Sequence, residues 1–246
     1  MTDFASVILA GERDSRDALR DETGVACKAL LDIGGTPMIR RVIDALRSAK
    51  TIGSINLSGP TEACVQSDAG LAGLVARQEV TWAPSGLSPS TSAHEMLRRF
   101  PATQPVLITT ADHPLLTGEI VDHFCQGAAQ SGCDVVIGLA PYGGYCGCNL
   151  FGILTEDGRR VADFWRQVEK DRKKPLVVIR LLGLWSLLSY RMGWLTLDRA
   201  LARLSRRVGV RIGVVILPYA HASVDVDSVS DYVLVQQYSA EGRGGA

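Results

Sequence analysis

A chain of 246 residues, 46% of them apolar, can fill a sizeable core as one main domain. Its 26 Lys and Arg balance its 26 Asp and Glu, which argues against nucleic acid or an anionic membrane as a bulk electrostatic partner and confines any basic site to a local patch. The opening "MTDFASVILAGERD" has no basic n-region and its apolar run breaks at Gly11 and Glu12, so a cytoplasmic location is expected.

"FASVILA", Phe4 to Ala10, is short, apolar and rich in strand formers, the pattern of a buried parallel strand. A loop crowded with charge follows and runs to Lys28. "GTPMIRRVIDALRSAK" then places Thr36 to cap and Pro37 at the first helical position, with Met38, Ile39, Val42, Ile43 and Leu46 on one apolar face. Strands are expected at "TIGSINLSG" and "EVTWAP", and a helix at "PSTSAHEMLRRF" whose first turn holds Ser90, Thr91 and Ser92. "QPVLITTADHPLL" supplies the next strand, which ends at Asp112 because Pro114 cannot extend a central ladder, and Thr117 caps the helix after it. Strands at "CDVVIGLA" and "CNLFGIL", helices at "GRRVADFWRQVEKDRKK" and "TLDRALARLSRRVG", and strands at "VRIGVVILP" and "ASVDV" complete the order. This alternation predicts an α/β fold with a mostly parallel sheet, helices on both faces, and ligands at the carboxyl ends of the strands.

Three stretches carry candidate chemistry. The loop after the first strand offers Gly11 for close backbone approach, then Arg13, Arg16, Arg20 and Lys28. It is either a phosphate-binding loop at the sheet edge or a solvated charged loop; it is neither a Walker A motif nor a GxGxxG. Asp112 is a lone carboxylate at the end of an apolar strand, a position that suits either a Mg2+ ligand or a turn cap. In "ASVDVDSVSDY", Asp225 and Asp227 share a face if the segment is extended, and Asp231 falls in the first turn of the next helix. The "DVD" also matches the DxD of glycosyltransferases, a weak signal at this length.

Other features permit two readings. "EKDRKKP" (Glu169 to Pro175) either binds an anionic acceptor or opposes a helix dipole. The apolar stretch 176–195 is a buried helix, a dimer face or a segment at a membrane surface, so membrane contact and a homodimer both stay open. The six cysteines lack paired zinc-site spacing and are read as reduced thiols; Cys146 and Cys148 in "YCGCN" are two thiols with no nearby His. His113 and His221 have no partner at ligand spacing and are not assigned to a metal.

Four stretches, in order, resemble the nucleotidyltransferases related to the molybdenum-cofactor guanylyltransferase: "VILAG" followed by a basic residue, the lysine before "ALLDIGGTPMIRRVIDAL", "TTADHPLL", and "DVDSVSDY". The resemblance implies a Rossmann-like sheet of the GT-A type, in one main domain over 1–238. A helical segment at about 156–207 interrupts it, and a disordered tail, 239–246, follows. It also implies Mg2+ as cofactor, an NTP donor (GTP or CTP favoured) and a phosphorylated small-molecule acceptor; the balanced charge leaves no nucleic acid partner expected. Carried over by position, Leu9, Ala10, Gly11, Arg13 and Lys28 would wrap the nucleotide phosphates, with Arg13, Lys28 and Asp112 as catalytic residues. Ser90 and Ser92 would meet the base and ribose, and Asp112 and Asp227 would hold the metal with Asp225 beside them. The loop departs from the family pattern: Glu12 stands where a second glycine is usual, and fourteen residues separate Arg13 from Lys28. A sugar-nucleotide glycosyltransferase and a non-catalytic nucleotide-binding protein are the alternatives.

Overall fold

Strand β1 (Phe4–Leu9) is buried along its whole length and feeds both halves of the core. Phe4 and Ile8 reach one face, Ala5, Val7 and Leu9 the other, as the two-residue period of a strand requires. The computed structural model of the protein describes residues 3–12, 18–25, 27–141, 144–171 and 197–241. The segment 172–196, which holds most of "EKDRKKP" and the apolar stretch, lies outside them, and so do Arg13 and Arg16.

The main sheet has seven strands in the order β5 (Thr81–Ala83), β4 (Ile52–Ser58), β1, β6 (Val106–Thr110), β8 (Tyr145–Ile153), β7 (Val135–Pro141) and β9 (Ile212–Ile216). Every neighbouring pair is parallel except the two that involve β8, which runs antiparallel to both β6 and β7. On one face lie α2 (Met38–Ser48), the short helices α3 (Glu62–Ser67) and α4 (Ala69–Ala76), and α6 (Gly118–Gln130). On the other lie α5 (Pro89–Leu97), α7 (Arg160–Asp171) and α8 (Leu197–Val208). The α2 face reads as its sequence predicts: Ile39, Val42, Ile43 and Leu46 are fully buried, each stabilising the fold by on the order of 2 kcal/mol. The sheet and helices form one Rossmann-like domain. Among the described residues no helix is long and apolar enough to cross a membrane.

A third, smaller cluster shapes the site. It joins Leu19 of α1 (Ala18–Thr23), Leu31, Ile33, Met38 and Leu115 to Val226 and to Val235 of α9 (Val229–Ala240). Within it, β2 (Asp32–Ile33) and β3 (Thr36–Pro37) form a small hairpin that turns at Gly34 (φ +58°) and Gly35 (φ +85°), a left-handed pair that glycine adopts without a Cβ clash.

Four expectations need correction. Thr36 does not cap α2: it pairs with Ile33 in the hairpin, and Pro37 occupies the cap position without a side-chain bond. Helices α3 and α4 are absent from the sequence reading; Thr61 and Asp68 cap them, but they are short and Gly70 and Gly73 weaken their helical signal. "ASVDV" joins no ladder, because Ala220–Ser223 winds into a 3-10 turn and the chain beyond is extended but unpaired with any strand. The expected tail begins inside α9, which runs to Ala240, where the Ser239 hydroxyl accepts from Arg41.

Candidate active site

The carboxyl ends of β1 and β6 open into a cavity of about 1040 Å³ lined by Leu9, Ala10, Gly11 and Glu12 on one side and by Thr110, Ala111 and Asp112 beside them. Gly59, at φ +78°, lets the neighbouring loop pack against the Ala10 carbonyl, which an added Cβ would meet at 2.8 Å. A Cβ at Gly11 would in turn press on Ser85 at 3.2 Å.

Lys28 stands in the 3-10 turn Lys28–Leu30 that leads into the β2–β3 hairpin. Its ammonium donates to Asp112 Oδ2 at 3.2 Å and to Asp227 Oδ1 at 2.7 Å. Burial works against its charge, but Asp112 and Asp227 outweigh burial and hold the pKa above the ordinary lysine value. The Asp227 side chain is 69% exposed, so that arm contributes at most about 1 kcal/mol and yields readily to a stronger anion. The other oxygen of Asp112, Oδ1, is buried and has no hydrogen-bond partner among the described residues.

The position of Asp225 and Asp227 comes from one backbone bond. Val226 N-H donates to the Asp112 carbonyl at 2.9 Å, and the Val226 side chain is fully buried in the third cluster, so both flanking aspartates line the cavity. The shared face expected from the sequence is therefore present without a strand. Asp225 Oδ2 accepts from Asn149 Nδ2 at 2.9 Å. Burial, and then the nearby Asp112 and Asp227 charges, raise the Asp225 pKa above the usual carboxylate value, while the Asn149 bond opposes the rise. Asp231 takes no part: its carboxylate receives the Asp227 and Ser228 N-H groups and completes a capping box at the start of α9.

Two scaffolding contacts hold these pieces in register. Arg41 on α2 donates to the carbonyls of Pro114 and Ile33, joining the segment after Asp112 to the hairpin after Lys28. Gln236 on α9 accepts from Gly34 N-H and donates to the Asp32 carbonyl, docking α9 on that hairpin.

The opposite wall is more apolar, formed by Pro89, Phe151, Trp165 and Val168. Ser88 caps α5 through Thr91 N-H. Ser92 is buried, lines the cavity and accepts from Gly86 N-H at 2.9 Å, which shapes the preceding loop. Ser90 is buried, lies outside the lining, and its N-H donates to Glu169.

The structure thus brings together Leu9, Ala10, Gly11, Lys28, Ser92, Asp112, Asp225 and Asp227, and sets Ser90 behind the wall. Arg13 lies outside the described residues. Sequence reasoning missed Asn149, whose signal was a polar residue within "CNLFGIL"; the structure holds it at φ +49°, a conformation asparagine tolerates. His113, beside Asp112, is buried, and burial lowers its pKa to about 4, so it is neutral; it does not line the cavity.

No curated protein matches the chain in sequence. Among solved structures, a hypothetical transferase from Thermus thermophilus matches 94% of this chain and 100% of its own, with a TM-score of 0.73 and 25% identity. A 4-diphosphocytidyl-2C-methyl-D-erythritol synthase from Anaerococcus prevotii matches 97% of this chain and 96% of its own, at TM-score 0.61 and 11% identity. A 2-C-methyl-D-erythritol 4-phosphate cytidylyltransferase from Thermus thermophilus matches 98% and 100%, at 0.54 and 15%. The last two share the fold. The sequence model of the MobA-like NTP transferase domain matches residues 6–184. With that match over most of the chain, the protein belongs to the MobA-like NTP transferase family and is a nucleotidyltransferase.

Proposed function

We propose that the protein transfers a nucleoside monophosphate from an NTP, with GTP or CTP favoured, to a phosphorylated small-molecule acceptor in a Mg2+-dependent reaction. An acceptor phosphate oxygen forms a bond to the α-phosphorus, the bond to the β-phosphate oxygen breaks, and pyrophosphate leaves. The observation that carries this reading is the charge of the cavity. Its described lining holds five carboxylates, Glu12, Asp112, Glu169, Asp225 and Asp227, against one cation, Lys28. A divalent cation would offset the repulsion between these carboxylates and a bound triphosphate.

The residues suit such an ion. Asp112 keeps a buried oxygen without a partner among the described residues, and Asp227 is exposed on the same cavity, so these two would hold Mg2+ with Asp225 beside them. Bound there, Mg2+ would neutralise phosphate charge at the reacting centre. Lys28 would leave Asp227 for the β and γ phosphates, and Arg13 would assist it on the leaving pyrophosphate. Ser92 and the Phe151–Trp165 wall would take the base and ribose. No general base is required, because an acceptor phosphate is already ionised.

The test is pyrophosphate release from each of the four NTPs with a panel of phosphorylated acceptors, in MgCl2 and in EDTA. Metal-dependent release with one donor and acceptor pair is expected. Nucleotide binding with no turnover across the panel would point instead to a non-catalytic binder.

A further inference from the structure

We propose that Glu12, Cys27 and Cys64 form a zinc-binding site that staples the two ends of the phosphate-side loop to helix α3. Glu12 opens that loop directly after Gly11, Cys27 closes it directly before Lys28, and Cys64 sits on the adjoining crossover. The carboxylate oxygen and the two sulfurs all lie within 4.8 Å of one another. Cys64 Sγ stands 3.6 Å from Glu12 Oε1. Tetrahedral zinc, with Zn–S and Zn–O bonds of standard length, places a sulfur and an oxygen roughly 3.6 Å apart and two sulfurs roughly 3.8 Å apart. The Cys64–Glu12 edge already has the sulfur-to-oxygen length, and the other two are no longer than 4.8 Å, within about 1.2 Å of theirs.

The donors also select the metal. Two thiolates and one carboxylate suit Zn2+, whereas Mg2+ prefers oxygen alone, so this site is chemically distinct from the Asp112 and Asp227 cluster. Cys27 is 1% exposed and Cys64 9% exposed, while Glu12 is exposed and lines the cavity. Two ligands are thus fixed in the core, and the open side leaves the fourth position to water. Binding releases the two thiol protons to solvent. A metal joining positions 12 and 27 closes the loop between them, which lowers the entropy the unfolded chain can gain there.

The experiment uses full-length protein stripped of metal under reductant and titrated with Co2+ without nucleotide. We expect one equivalent to produce thiolate-to-cobalt charge transfer and tetrahedral d–d bands, and Zn2+ to displace them. The bands should persist in Asp112→Asn and in Cys146→Ser/Cys148→Ser, and vanish in Cys64→Ser. If the serine variant fails to fold, the exposed Glu12→Gln decides, with at least a tenfold loss of Zn2+ affinity expected. Absent thiolate bands, bands that survive Cys64→Ser, unchanged Zn2+ affinity in Glu12→Gln, or a Cys27–Cys64 disulfide that excludes metal under these conditions would each overturn the site. The readout is spectroscopic and needs no turnover, so its failure is separate from failure of the proposed reaction.

Discussion

Lys28 donates to Asp227 at 2.7 Å although the two residues are 199 positions apart in the chain. The same ammonium reaches Asp112, so a single lysine bridges the two carboxylates proposed to hold Mg2+. Lysine and metal would compete for one place, and nucleotide binding would resolve the competition by drawing the lysine to the phosphates. Lys28→Met should therefore have opposite effects on two ligands. Mn2+ binding to the nucleotide-free protein, followed by electron paramagnetic resonance, should tighten. Triphosphate affinity should fall by roughly tenfold or more, with monophosphate affinity less affected. Equal losses for NTP and NMP would place the lysine away from the β and γ phosphates.

Asp112→Asn should lower metal-dependent turnover by about 10²- to 10³-fold and leave the thermal midpoint close to that of the parent, since the carboxylate faces a cavity and serves charge more than packing. Turnover at the parental rate would remove Asp112 from the metal site.

Asp227→Ala should raise the Mg2+ concentration needed for half-maximal rate more than Asp225→Ala does. Asp227 is exposed and, among the described residues, its carboxylate is held by a lysine that can leave, whereas Asp225 is half-buried and held by Asn149. The reverse ranking in a metal titration would make Asp225 the direct ligand.

Asn149→Gly keeps a residue that accepts φ +49° and removes the amide that donates to Asp225. The Asn149 bond lowers the Asp225 pKa against the raising effects of burial and neighbouring charge, so its loss should raise that pKa further. If the ionised carboxylate serves the reaction, the acid limb of the rate profile moves to higher pH. A profile that keeps its position while the rate falls uniformly would assign Asn149 a structural part only.

Asp134 clasps the edge of the sheet far from the cavity, accepting from Arg211 through its backbone N-H and guanidinium and from the Thr155 hydroxyl. The hydrogen bond from Arg211 is the main cause that holds its pKa below the ordinary 3.8. A depressed carboxylate stabilises the fold above the unfolded-state value and loses that contribution as pH falls towards the folded-state value. Asp134→Asn should therefore lower the thermal midpoint at pH 7, and the gap to the parent should narrow progressively below 3.8. A gap independent of pH would attribute the effect to shape and not to charge.

The sequence by itself determined the elements whose signals are local. The short continuous apolar run Phe4–Leu9 and the apolar face of Met38–Ser48 depend only on residues a few positions apart, and both the strand and the helix formed, the helix with a different cap. Asp112 stands out at the end of an apolar strand and Lys28 at the end of the charged loop, whereas the sequence places Asp225 and Asp227 on a strand that the structure does not form.

Only the tertiary structure decided how those ends meet. Strand β8 runs against its neighbours, so its early residues arrive where the parallel strands finish, and Asn149 reaches Asp225 across 76 positions. The segment before Asp225 takes a turn and not a strand because Val226 is satisfied by one bond to Asp112 and by burial, not by a ladder. Glu12, Cys27 and Cys64 have no motif spacing in the chain and come together only through the packing of β1's exit against α3. Pairings of this kind depend on contacts between distant segments, which no local pattern of residues encodes.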